Sequence, residues 1–279
     1  MTEPLPEATA LTGIYLYCLA RPQCLASDQA LVGPSLTGVV EGYPVTAVLA
    51  DSVVAVVGEV VIGDFSEQNL QTLSWIGERA ARHEAVVART MAASPVLPVK
   101  FGTIYRSRDS LMAFLQRHHR AIELGLDRLI DKSEWSVKGY LIEEDARQII
   151  AAGDAEVQSR RAALSTSPGL RYLQQKQLDA RIEAALEAGL ERVSQDLLRS
   201  LALRSIDSTT LRLHASTVTG RPERMVFNAA FLLDPETLPD FRVALAEQQD
   251  AYQTIGLALE LRGPWPPYNF CPDLSEAQP

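Results

Sequence analysis

The chain has 279 residues, 47% of them hydrophobic and 22% charged, with a formal net charge of -9. A chain this long buries a full core without disulfides or structural metal. The acid is spread evenly, with 11 basic and 15 acidic residues in 1–135 and 15 and 20 beyond, so no basic face exists for neutralising phosphates and nucleic acid is excluded as a main partner.

GIYLYCLA (13–20) is apolar at every position and reads as a buried strand. A Pro/Gly-spaced stretch, 21–38, follows. PVTAVLAD and SVVAVVGEV form an expected hairpin turning at Asp51-Ser52. Leu70, Leu73, Ile76, Ala80, His83 and Val87 recur at spacings of three and four, which predicts a helix over 66–93. VLPVKFGTIY (96–105) is extended again. A second amphipathic helix is expected over 107–131, with Ser107 or Asp109 as its N-cap.

EWSVKGYLI (134–142) predicts a strand, and 143–163 a polar, Ala-rich helix. Ser167-Pro168 opens a long helix to about Ser200, because proline at the first helical position gives up an N–H that the helix does not use. Its narrow stripe, Leu178, Ile182, Leu186, Leu190, Val193 and Leu197, fits a single packing partner. TLRLHAST and MVFNAAFLL are two strands joined by a turn at GRPER. A helix entered through Asp234-Pro235 or Pro239-Asp240 and a last strand, LALELR, complete the pattern. Residues 134–262 therefore read β-α-β-β-α-β, the ferredoxin-like arrangement, an antiparallel sheet with helices on one face. The expected fold class is α+β in two domains: 1–133, and 134–279 with the long helix and a Pro/aromatic tail.

Catalytic signals are sparse. HEAVV (83–87) starts like a zinc-protease helix, but Val87 stands where the second histidine must be. Phosphate-cradling glycine loops and a GxSxG elbow are absent. Neither a catalytic set nor a metal or cofactor site is expected. The basic turn of Lys100, Arg106 and Arg108, just before a helix start, is a candidate anion site. Cys18, Cys24 and Cys271 form no CxxC pair and fit a reducing compartment. The first residues lack the basic and apolar regions of a secretory signal, and no apolar run approaches the ~20 residues that span a bilayer. The expectation is a cytoplasmic protein without a lipid-membrane partner.

The terminal GPWPPYNF (263–270) is stiff and aromatic. Pro264 is expected to end regular pairing, and the segment to form polyproline II with Trp265 and Tyr268 on one side and Pro264, Pro267 and Phe270 on another. Trp265, Pro267, Tyr268 and Phe270 are thus candidate partner-binding residues, or a latch that folds back on the chain.

LPVKFGTIYRSRDSL, EWSVKGYL, SPGLRYLQQK, NAAFLL and GPWPPYNF, in that order, resemble the gas vesicle protein F/L family. The resemblance implies a minor protein of the gas-filled shells that provide buoyancy, without known catalysis or cofactor. It acts in gas vesicle assembly or shell structure, with the hydrophobic major shell protein and other accessory proteins as partners. It also implies two α+β domains, the second a modified ferredoxin-like one. The competing reading is a small-molecule sensor or enzyme on a ferredoxin-like sheet, resting on the Lys100/Arg106/Arg108 turn.

Overall fold

The computed structural model describes residues 11–26 and 37–274. The initial segment 1–10, most of the Pro/Gly-spaced stretch and the last five residues lie outside the described residues. The chain divides into two compact units. One comprises the described residues of Met1–Ser133 and Trp265–Pro279, and the other Glu134–Pro264. The expected division at Ser133 puts the tail with the second part, whereas the contacts of its described residues, 265–274, group them with the first.

The first unit is built on a five-stranded antiparallel sheet. Its strands are β1 (Thr12–Ala20), β2 (Val45–Ala50), β3 (Val53–Val61), β4 (Val96–Pro98) and β5 (Ile104–Tyr105), in the order β2-β3-β1-β4 with β5 also on β1. β2 and β3 form the expected hairpin, Ala50 opposite Val53, and Asp51 turns it at φ 49°. β1 pairs with β3 from Thr12↔Val61 to Ala20↔Val54, with a bulge between Leu16 and Cys18. A single extended stretch was expected over 96–105. It breaks into β4 and β5 because Lys100–Thr103 close a turn, Thr103 donating its N–H and its hydroxyl to the Lys100 carbonyl.

The helices of this unit are α1 (Glu67–Leu70), α2 (Leu73–Met91) and α3 (Arg108–Arg128). α2 and α3 both pack on β1. Tyr15 to Ala20 are all buried, which requires cover on both sheet faces because neighbouring side chains point opposite ways. Tyr15, Tyr17, Val54 and Val56 form one core with Val86 and Val87 of α2. Leu97, outside that core, reaches toward Gly125 of α3.

The second unit contains β6 (Ser133–Leu141, its first residue shared with the first unit), α4 (Glu143–Gly153), α5 (Ala155–Ala162), α6 (Pro168–Ala202), β7 (Asp207–Thr210), α7 (Ser216–Thr219), β8 (Arg224–Leu233), α8 (Leu238–Tyr252) and β9 (Leu257–Trp265). The sheet order is β7-β8-β6-β9, and β7 and β8 are antiparallel. Leu186, Leu190, Leu197 and Leu201 of α6 share a core with Phe227, Phe231, Phe241 and Leu257. Fully burying one such side chain contributes roughly 1.5–3 kcal/mol.

Several local expectations give way here. The helix expected over 143–163 is split at Asp154, whose carboxylate accepts the Glu156 and Val157 N–H groups at 2.8 and 3.1 Å and caps α5. The thin stripe of α6 serves two partners rather than one, because Leu178 and Ile182 pack with Ala151 of α4 and Val157 of α5 before the later leucines meet the sheet. TLRLHAST leaves the strand at Thr210. Beyond Leu211, whose N–H still donates to Asn228 O at 2.8 Å, side chains of β8 replace the ladder: Asn228 Nδ2 donates to the Arg212 carbonyl at 2.8 Å, and the His214 N–H reaches the Met225 sulfur at 3.4 Å. Finally, β9 runs through Pro264 to Trp265, and Tyr268–Phe270 form a 3-10 turn instead of polyproline II. β9 is an edge strand, where a missing proline N–H is tolerated. The Gln249 carboxamide clasps that edge, donating to Leu257 O at 2.8 Å and accepting from Leu259 N at 2.7 Å.

Candidate functional site

The tail residues after β9 lie across the first unit. Tyr268 N–H donates to Pro266 O at 2.8 Å and Phe270 N–H to Pro267 O at 3.1 Å, which closes the 3-10 turn. The turn sends the Tyr268 hydroxyl to Glu84 Oε2 of α2 at 3.0 Å. Burial, then the neighbouring Glu84 charge, pushes the Tyr268 pKa well above its usual value. Cys271 Sγ reaches Pro267 O at 3.3 Å and Pro98 O of β4 at 3.8 Å. The Pro272 ring sits where a side chain on Gly125 of α3 would be, 3.0 Å from an ideal Cβ. The tail after β9 thus forms a strap touching one helix, the sheet and the other helix.

The four predicted tail residues therefore have different fates. Pro267 is buried and Phe270 is 5% exposed, so the chain's own residues surround both. Tyr268 is half-buried and engaged by Glu84. Trp265 keeps 44% of its surface.

Beneath the strap lies an aromatic cluster that periodicity alone did not reveal. Tyr15, Phe65, Trp75, His83 and Phe101 approach one another with ring centroids 5.2–6.5 Å apart. The Tyr15 hydroxyl accepts the Gly102 N–H at 3.1 Å and shares a hydrogen bond with His83 Nδ1 at 2.9 Å. His83 is 3% exposed, and burial lowers its pKa from 6.5 to about 4. It is a neutral core histidine, which explains why HEAVV has no second ligand. Burial also pushes the Cys18 thiol up to about 12, leaving it without thiolate character. Among the described residues no three His, Cys, Asp or Glu side chains are grouped to hold a metal ion.

Lys100, Arg106 and Arg108 are all exposed. The helix start behind them is already closed by a capping box, in which Ser107 Oγ accepts the Ser110 N–H and Ser110 Oγ accepts the Ser107 N–H, each at 3.2 Å. Those donors are committed within the chain, which removes them as anion ligands.

A second polar group was missed because its members are distant in sequence. Ser52 Oγ lies 3.4 Å from His119 Nε2, and His119 Nδ1 lies 3.5 Å from Glu123 Oε2. The members are those of a nucleophile triad, but Ser52 donates directly to Glu123 Oε1 at 2.6 Å. That hydrogen bond, with His119 and Arg21 nearby, holds the Glu123 carboxyl below its usual range. The serine proton belongs to the carboxylate, and the arrangement fastens the β2–β3 turn to α3.

In the second unit, Arg224 of β8 bonds Glu143 at 2.8 Å and Glu187 at 2.6 Å, while Arg147 bonds Glu143 and Glu183, each at 2.9 Å. Glu143 is thus an ion-pair hub at the start of α4. A cavity of about 440 Å³ opens between α4, α6 and the end of α8, walled by Leu141, Ile150, Leu190, Val193 and Ile255. On α6 itself, Leu170, Tyr172 and Leu173 are 51%, 67% and 57% exposed. No described helix is long and apolar enough to cross a membrane.

The chain is similar along nearly its whole length to known proteins. It is 27% identical over 260 residues to gas vesicle protein L of Streptomyces sp. (strain CB03234), covering 92% of this chain and 91% of that protein. It is 26% identical over 280 residues to gas vesicle protein L1 of Halobacterium salinarum, covering 97% and 94%. Its fold matches the crystal structure of gas vesicle protein GvpF from Anabaena sp. PCC7120 with a TM-score of 0.72 at 18% identity, over 94% of this chain and 98% of that one. A family model described as gas vesicle synthesis protein GvpL/GvpF matches residues 13–272, and on that match the chain belongs to the GvpL/GvpF family of gas vesicle proteins.

Proposed function

We propose that this protein acts in gas vesicle assembly or shell structure by holding the hydrophobic major shell protein, alongside other accessory proteins, in the cytoplasm. The observation that carries this reading is the group of exposed apolar side chains in the first turns of α6, Leu170 and Leu173 on one face and Tyr172 on the flank beside Leu173. Exposed apolar side chains clustered on one helix mark a surface for another protein. The reading is non-covalent: the protein shields an apolar subunit from aggregation and releases it into the growing wall. We read the second unit as a modified ferredoxin-like sheet, a view supported by the order β7-β8-β6-β9 and by α6 and α8 sharing one core.

Affinity capture from cells making the shell protein provides the test. The wild-type protein is expected to carry shell subunits with it. A variant with Leu170, Tyr172 and Leu173 all changed to serine should lose them while keeping its melting temperature. Failure of the wild type to retain shell subunits, together with normal vesicles in cells lacking the protein, would refute the reading.

A further inference from the structure

The long helix α6 has a second face, on the side away from its buried leucines. At about 100° per residue, Leu170, Leu173, Gln177, Ala180, Ala184 and Ala188 fall within an arc of about 80°. All six are exposed, while Leu178, Ile182, Leu186 and Leu190 hold the buried side. From Leu170 to Ala184 the steps alternate between three and four residues, which is the seam spacing of a coiled coil. The seam is also graded. Its bulky side chains come first and its methyl groups last.

Such a gradient complements itself when reversed. An antiparallel second copy, in the register that sets Leu173 against Ala184, also sets Leu170 against Ala188 and Gln177 against Ala180. The two-fold axis repeats each pairing, so every bulky side chain meets a methyl group on both halves of the contact. A parallel pair would stack leucine on leucine at one end and hold the alanines apart at the other. Charge favours the same choice. The antiparallel register brings Lys176 of each copy beside Glu183 of the other, whereas a parallel pair would set Lys176 against Arg181. Glu187, an acid at a seam position, is drawn toward β8 by Arg224 at 2.6 and 3.2 Å, which leaves Ala188 to face Leu170. Gln177 lies next to the axis, and a single polar seam residue fixes register and direction.

We propose that this face of α6 binds a second copy of the chain, forming an antiparallel two-fold dimer along about 27 Å of helix. The pair covers Leu170 and Leu173 and leaves Tyr172 outside, so a second copy and a shell subunit compete for the two leucines. The test uses the purified full-length protein without shell protein, which keeps its outcome separate from the capture of shell subunits. Sedimentation equilibrium should give twice the monomer mass. Ala184→Glu, at an exposed position, should keep the circular dichroism spectrum and weaken the dimer about tenfold or more, because it sets a carboxylate against Leu173. Direction is read by cross-linking. Leu173→Cys mixed with Ala184→Cys and oxidised with copper phenanthroline should give a disulfide-linked pair on a non-reducing gel, and neither variant should do so alone. The wild type, whose Cys18 and Cys24 are buried, is the control. A monomer at every concentration, a dimer that Ala184→Glu leaves as tight as before, or self-linking of Leu173→Cys alone, the mark of a parallel pair, would overturn the proposal.

Discussion

His83 shows how one buried side chain couples the fold to pH. Unfolded, it takes up a proton near 6.5; folded, it resists until about 4. Between those values the unfolded chain binds more protons, so the stability this site confers is intact above pH 6.5 and declines as pH falls toward 4. The full loss is about 3 kcal/mol. Urea unfolding across pH 7 to 4 should show this decline, and His83→Leu should flatten it. At the other end of the chain, the burden of the aromatic tail rests on Phe270. Phe270→Ala should cost about 3 kcal/mol or more. Tyr268→Phe, which removes a hydrogen bond to a carboxylate, should cost about 1.5–3 kcal/mol, and Trp265→Ala should cost less than either because Trp265 is half in solvent. Denaturation midpoints would rank the three. The stiffness of GPWPPYNF was legible in its prolines and rings. Its seat was not, because Glu84, Pro98 and Gly125 are brought together only by the tertiary fold.

At the level of elements, legibility followed periodicity. The stripe of α6 and the β2–β3 hairpin could be read directly, since spacings of three and four, or of two, declare which face is buried. The break at Asp154 and the early end of β7 could not. In both places a side chain took over a backbone group, and the sequence does not announce which Asp or Asn will do so. Glycine positions on helices make a sharp pair of experiments. An added methyl at Gly189 of α6 meets nothing within 4 Å, whereas at Gly125 of α3 it meets Pro272 at 3.0 Å and Leu97 at 3.2 Å. Gly189→Ala should stabilise the protein by about 0.5–1 kcal/mol through helix propensity. Gly125→Ala should fail to show that gain in the same melting experiment, because the strap must move to admit it.

On the scale of the whole chain, each unit has a core of its own, yet the first is completed by residues that come last. A chain ending at Pro264 should lose amide protection in α2 and α3 while β6 and β8 hold theirs, as read by hydrogen exchange. Equal protection in the truncated and intact proteins would contradict that division. The same arrangement has a consequence in time. The ribosome makes residues 1–133 and then the whole stretch to Pro264 before the closing strap exists. At ~5–20 residues per second that interval is about 7–25 s. Throughout it the nascent first unit waits with Glu84, Pro98 and Gly125 bare, so its final packing follows synthesis of the whole second unit.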